Sequence, residues 1–154
     1  MVRNFLINLA KNCFIQNVGF ESLAAAQREA DIYYEVNGRY FTSSAYSAAI
    51  NAAMASNQTC YIYKSVSIGT TITVENAHLV VEGVADANGE YPLITATAYQ
   101  YYLVGDSTIT VNNLNYSTTK NLFLFGTSSN AMKSSSKLIL NNCDITWSSA
   151  SAFI

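Results

Sequence analysis

Six carboxylates follow residue 60: Glu75, Glu82, Asp86, Glu90, Asp106 and Asp144. Two of them facing each other across a glycosidic bond would make a hydrolase, one as general acid and the other as base or nucleophile. Linear order alone does not establish such a pair. Lyase chemistry on a polysaccharide instead needs a strong base beside a cation or metal. Lys64, Lys120, Lys133 and Lys137 are scattered, with no Asp-x-Asp pattern near them. Glu82 precedes Gly83 at a turn and has the best claim to chemistry among the carboxylates; a solvated turn residue is its ordinary reading. His78 is the single histidine and cannot anchor a metal alone. Cys13, Cys60 and Cys143 are far apart and odd in number, so neither a zinc site nor a disulfide framework is indicated. There is no GxSxG, HExxH or phosphate loop. No residue is therefore assigned a catalytic, cofactor-binding or metal-ligating role, no cofactor is expected, and the question of an enzyme stays open, with these residues leaning against one.

The elements that would position any site are written in the composition. The chain has 154 residues, half of them apolar, enough for one domain with a real core. Only 12% are charged, about half the usual ~25%. Ser, Thr and Asn must keep the second half in water. A formal charge of −2 offers no basic patch, so sequence-independent nucleic-acid binding is not supported. No apolar run reaches the ~18 residues of a membrane span. The opening "MVRNFLINLAKNCFIQN" is broken by Asn8, Lys11 and Asn12 and does not read as a signal peptide. Eleven tyrosines and one tryptophan suit carbohydrate stacking or, more ordinarily, half-buried strand positions.

The first part of the chain reads as helical. Glu21 to about Tyr34 forms one segment, with Glu21 complementing the dipole and Asn37-Gly38 as the stop. "TSSAYSAAINAAMAS" forms a second, capped by Ser43 or Ser44 and ended at Asn57. Tyr46, Ala49, Ile50, Ala53 and Met54 share its apolar face. The period then changes to two. Strands are expected near 60–64, 66–74, in "AHLVVEG", and once or twice in "PLITATAYQYYLVG".

"STITVNNLNYS" from Ser107 and "SKLILNNCDIT" from Ser136 say nearly the same thing 29 residues apart. "TTITVENAHLV" from Thr70 aligns as a third copy, putting Asn76, Asn113 and Asn142 at one position and His78 with Asn115 and Asp144. Self-similarity at this period, with strands and no intervening helices, predicts a β-solenoid. Inward columns should be Ile72/Ile109/Leu138 and Val74/Val111/Leu140. The three asparagines should stack at equivalent corners, since Asn tolerates a left-handed backbone and amides can form ladders.

Residues from Ser43 to Gly83 resemble the entry to a pectate-lyase-like right-handed β-helix. Ala48, Ala49, Ile50, Ala52 and Ala53 match its short Ala-rich helix. Tyr61, Ile62 and Tyr63 match its first strand, and Ile72, Val74, Leu79 and Gly83 the next. The family's Pro-Ala-Gly-Thr-Tyr corner is replaced by "KSVSIG". The resemblance covers about residues 43–154. It implies a mainly β fold, a right-handed parallel β-helix, with an α-helical N-terminal region and a capping helix. Residues 1–42 would be a partly helical anchoring segment. Residues 43–154 would be the capping helix plus the first coils, expected to continue beyond 154 because the last copy breaks off at "SAFI".

Folds of this kind occur in bacteriophage tail spikes, tail fibres and head fibres. The expected function is thus a virion structural protein with an N-terminal attachment region and a β-helical shaft for host-surface or glycan binding. Its expected partners are two further copies of itself in a homotrimer, other virion proteins through the N-terminal segment, and host-surface polysaccharide. Neither nucleic acid nor membrane is expected as a partner. The alternatives are a fragment of a polysaccharide lyase or glycoside hydrolase, and a β-helix adhesin of the bacterial cell surface.

Overall fold

A computed structural model of the chain describes residues 31–126 and 129–148. The chain divides into two units, Met1–Ile32 and Tyr33–Ile154, and every strand among the described residues belongs to the second. The expected helix from Glu21 and the apolar residues 1–20 lie outside the described residues, except at the helix's last positions, where Tyr34 already belongs to a strand.

The fold is mainly β. It opens with a hairpin, β1 (Tyr34–Val36) and β2 (Arg39–Phe41), turned by Asn37 and Gly38. Both turn residues have positive φ, 48° and 76°. That is the conformation a two-residue hairpin turn demands, and Asn-Gly is the sequence that supplies it. The Asn-Gly signal is therefore a hairpin turn rather than a helix stop.

A 3-10 turn at Ser43–Ala45 leads into α1 (Tyr46–Ser56), which buries Tyr46, Ala49, Ile50 and Ala53. The expected serine cap is absent: Ala45 holds the N-cap position, and the preceding 3-10 turn shifts the helix start past Ser43 and Ser44. Asn57 does end the helix, left-handed at φ 56°, as a C-terminal asparagine can.

Eleven further strands follow: β3 (Thr59–Ile62), β4 (Val66–Ile68), β5 (Ile72–Glu75), β6 (His78–Gly83), β7 (Leu93–Ala96), β8 (Tyr101–Val104), β9 (Thr108–Asn112), β10 (Asn115–Thr118), β11 (Phe123–Phe125), β12 (Lys137–Asn141) and β13 (Asp144–Trp147). They fall into three sheets, ordered β12-β9-β6-β3-β1-β2, β13-β10-β7-β4 and β11-β8-β5. From β3 onward all named pairings are parallel, and each joins a strand to the one three later in the chain. Among the described residues, the antiparallel pairings are those of the hairpin, β1 with β2 and β1 with β3.

The strands alternate buried and exposed residues, as a sheet with one wet face requires. The inward columns differ from those expected. Leu79, Ile109 and Leu138 form one, and Val81, Val111 and Leu140 another, continued by Cys60 beside Val81. Ile72 and Val74 instead lie beside Tyr101 and Leu103 in the third sheet. The repeat of 29 residues is real between β9 and β12 and between β10 and β13. The copy from Thr70 was aligned to the wrong strand. It is β6 and not β5 that pairs with β9.

The corners explain the error. Asn76, Asn113 and Asn142 all have positive φ. Asn113 and Asn142 are stacked, with Asn142 Nδ2 donating to Asn113 Oδ1 at 2.8 Å. Asn76 stands at a different corner, between β5 and β6. It lies under Gly105, and its Oδ1 accepts from the Asp106 N–H at 3.0 Å. The position preceding Asn113 in the ladder is held by Gly83. A Cβ there would run into the Asn113 carbonyl oxygen, so this corner is packed backbone on backbone. His78 likewise lies beside Thr108, which lies beside Lys137; Asn115 and Asp144 are neighbours in another sheet.

The core joins buried residues of the hairpin and α1 to buried residues of all three sheets. α1 packs on β6, β1 and β3. Tyr46 reaches inward so that its hydroxyl meets that of Tyr101 at 2.7 Å, and Tyr101 meets Tyr116 at 3.1 Å. Tyr101 also stacks on Phe123, with ring centroids 5.6 Å apart.

Candidate functional site

Tyr46, Tyr101 and Tyr116 are buried and linked through their hydroxyls, and they are structural. Burial pushes the Tyr46 and Tyr116 phenols well up from their ordinary value and Tyr101 up to about 12. All three are neutral at physiological pH and satisfy one another's hydroxyls, which removes the penalty of leaving them unpaired. Cys60 is a free, buried thiol pushed up to about 12 by burial, so it is no nucleophile at neutral pH. Cys143 is free and half-buried; Cys13 lies outside the described residues.

The carboxylates do not converge. Glu75 ends β5 on an exposed position. Asp86 and Glu90 bound the exposed stretch 86–90 between β6 and β7, where Asp86 Oδ1 accepts the N–H groups of Asn88 and Glu90. Those backbone bonds hold its carboxyl below its ordinary value, the signature of a turn-forming aspartate. Asp106 accepts from the Ser135 hydroxyl at 2.8 Å. Asp144 opens β13, exposed. Lys120, Lys133 and Lys137 are exposed and spread over different elements. Among the described residues, no three His, Cys, Asp or Glu side chains gather as metal ligands, and no helix is long and apolar enough to cross a membrane. A shallow cavity of about 280 Å³ lies between the hairpin turn and the last turn of α1. Val36, Asn37, Arg39, Ala52, Ala55 and Ser56 line it, with no acid–base pair.

Glu82 is different. It lies on the outer face of the six-stranded sheet, and the register places it in a continuous row. Tyr40 pairs with Glu35, Glu35 with Tyr61, Tyr61 with Glu82, Glu82 with Asn112, and Asn112 with Asn141. Residues opposite each other in a sheet share a face, so these six side chains cross the sheet side by side, one per strand. Strands lie ~4.8 Å apart, which puts Glu35 and Glu82 about 10 Å apart along the backbone with Tyr61 between them.

The row is tied together. Asn141 Nδ2 donates to Asn112 Oδ1 at 2.8 Å, and Asn112 Nδ2 to Glu82 Oε2 at 3.4 Å. Tyr63 donates its hydroxyl to Glu35 Oε2 at 2.7 Å, and Gly38 N–H reaches Glu35 Oε1 at 3.3 Å. Burial first, and the bond to Glu35 second, push the Tyr63 phenol up to about 12. Tyr40 is 61% exposed and Tyr61 36%. The Lys64 ammonium lies 5.3 Å from the centre of the Tyr33 ring. The row carries two exposed aromatic rings and several hydrogen-bond acceptors.

Sequence reasoning singled out Glu82 but missed its neighbours. Glu35 and Tyr40 fall in the stretch assigned to the anchoring segment, and the alternation in "CYIYK" was the available sign that Tyr61 and Tyr63 share an outward face. Comparison with family models, with curated proteins and with solved structures finds no match.

Proposed function

We propose that the three sheets are the faces of a right-handed parallel β-helix, and that the outer face of the largest sheet binds a glycan of a host or cell surface. The pairing of each strand with the one three later supports the solenoid. The rule that parallel crossover connections are right-handed supports its hand. The observation that carries the glycan reading is the row Tyr40–Glu35–Tyr61–Glu82–Asn112–Asn141. Exposed rings and fixed polar groups at strand spacing match a ligand made of repeating rings with hydroxyls at their edges.

In this reading the chain is a virion structural protein, the shaft of a bacteriophage tail spike, tail fibre or head fibre. It acts as a homotrimer attached to other virion proteins through its N-terminal segment and capped by α1. The virion and trimer parts rest on the family resemblance. The low charge and the polar face fit such a shaft and fit a bacterial surface adhesin equally. A second reading, a glycoside hydrolase, is favoured by one observation: the carboxylates Glu35 and Glu82 flank Tyr61 on the same face.

Sedimentation of the intact chain, paired with a screen against surface polysaccharides, tests the proposal. A trimer that binds a polysaccharide, and that loses assembly when residues 1–20 are deleted, is the expected result. A monomer that binds none of them sinks it. Release of reducing sugar that is lost in Glu82→Gln would establish the second reading instead.

A further inference from the structure

We infer that the outer row selects a glycan whose sugars carry free amino groups, laid across the strands with alternate rings over Tyr40 and Tyr61 and the chain running on toward the amides. The inference rests on the glycan-binding reading and deepens it. Its basis is the chemistry of the row. Glu35 and Glu82 are acceptor-only groups on either side of an exposed ring. Glu82 receives one long bond, 3.4 Å from Asn112, and Glu35 receives two, so each carboxylate retains acceptor capacity toward a ligand.

An ammonium placed between them meets two negative charges beside Tyr61, whose ring can attract a cation. The row itself holds no cation. Lys64 lies over Tyr33, two residue pairs further along the strands on the same outer face. Arg39 lies over Phe41, and both pair with residues of the buried side, Val36 and Tyr34. A uronic-acid or sialylated chain would set like charges against Glu35 and Glu82, the two charged members of the row. The spacing agrees with the ligand's direction: the two carboxylates stand about 10 Å apart across the strands, roughly the span of two sugar rings in an extended chain.

The test uses calorimetric titration of the intact chain with three probes: a glucosamine oligomer at a pH where its amines are protonated, its N-acetylated counterpart, and a galacturonate oligomer. The glucosamine oligomer should bind most tightly, and its affinity should fall as salt is raised. Tyr61→Ala should weaken it about three- to thirtyfold, the range a lost cation–ring contact implies. Glu35→Gln with Glu82→Gln should abolish the preference over the acetylated probe while leaving acetylated binding in place. Thr73→Ala, on the outer face of another sheet, should change nothing.

Tighter binding of the galacturonate oligomer overturns the inference and leaves the glycan reading standing. So does glucosamine binding that ignores the changes at Glu35, Tyr61 and Glu82 in variants with unchanged circular dichroism. Binding of no glycan overturns both.

Discussion

Leu79 and Leu138 occupy the same inward column, separated only by Ile109. Leu79 is fully buried, with β3 and α1 on one side and β9 on the other; Leu138 on β12 is only partly covered. The parallel column behaves alike. Cys60, Val81 and Val111 are completely buried, and Leu140 is 38% exposed. The residues are of one kind and point the same way, so the difference lies in what sits above and below them. In a stack, burial is conferred by neighbours along the axis, and the hairpin with α1 supplies that cover at the base.

The sharpest way to probe this contrast is the same substitution at both places. Leu79→Ala should cost about 2–5 kcal/mol, the range for a fully buried leucine that leaves a cavity. Leu138→Ala should cost well under half as much, because part of its side chain already meets water. Chemical denaturation of both variants checks it, and equal losses would show that the far edge is as tightly enclosed as the base.

A smaller effect separates the two kinds of corner. Gly83→Ala drives a methyl group into the Asn113 carbonyl and should cost about 1–3 kcal/mol. Gly38→Ala, at the hairpin turn, meets no atom and carries only the strain of positive φ, about 1 kcal/mol. Thermal unfolding ranks them; a reversed order would mean that the close approach at Gly83 is not tight.

The smallest effect is silent at neutral pH. In the fold the Cys60 thiol moves from 9.0 up to about 12 and the Tyr101 phenol from 10.0 up to about 12, both chiefly through burial. The unfolded chain therefore ionises first. Stability is fully present below pH 9 and is lost progressively between pH 9 and about 12. Urea midpoints should be flat around neutrality and fall above pH 9. Cys60→Ala should delay the onset of the fall, and an onset unchanged in that variant would assign the slope to other groups.

Much of this architecture could be read from the residues. The two copies around Asn113 and Asn142 lie in the expected register, and α1 lies where the Ala-rich face placed it. The copy around Asn76 was misread for a physical reason. Every inward strand face here obeys the same alternation, so "ITVEN" and "LVVEG" fit a template equally well. The 84–92 connection between β6 and β7 also breaks the period, whereas β9 and β10 are joined by residues 113–114 alone. A period-two pattern says which residues point inward but not which sheet they belong to. The outer row was hidden for a related reason. Its members come from five separate stretches of chain and meet only through register, and Asn37-Gly38 serves a hairpin as readily as a helix end.

The hydroxyl contact between Tyr46 and Tyr101 joins residues 55 positions apart. That separation orders events in time. A nascent chain that has emerged only as far as Gly83 already carries α1 and the strands against which it packs, yet it lacks the partner that satisfies the Tyr46 hydroxyl. Completion of the base must wait for synthesis of β8, and the next hydroxyl in the chain, Tyr116, waits for β10. The Tyr46 phenol of the helix thus finds its partner only in a residue made 55 positions later.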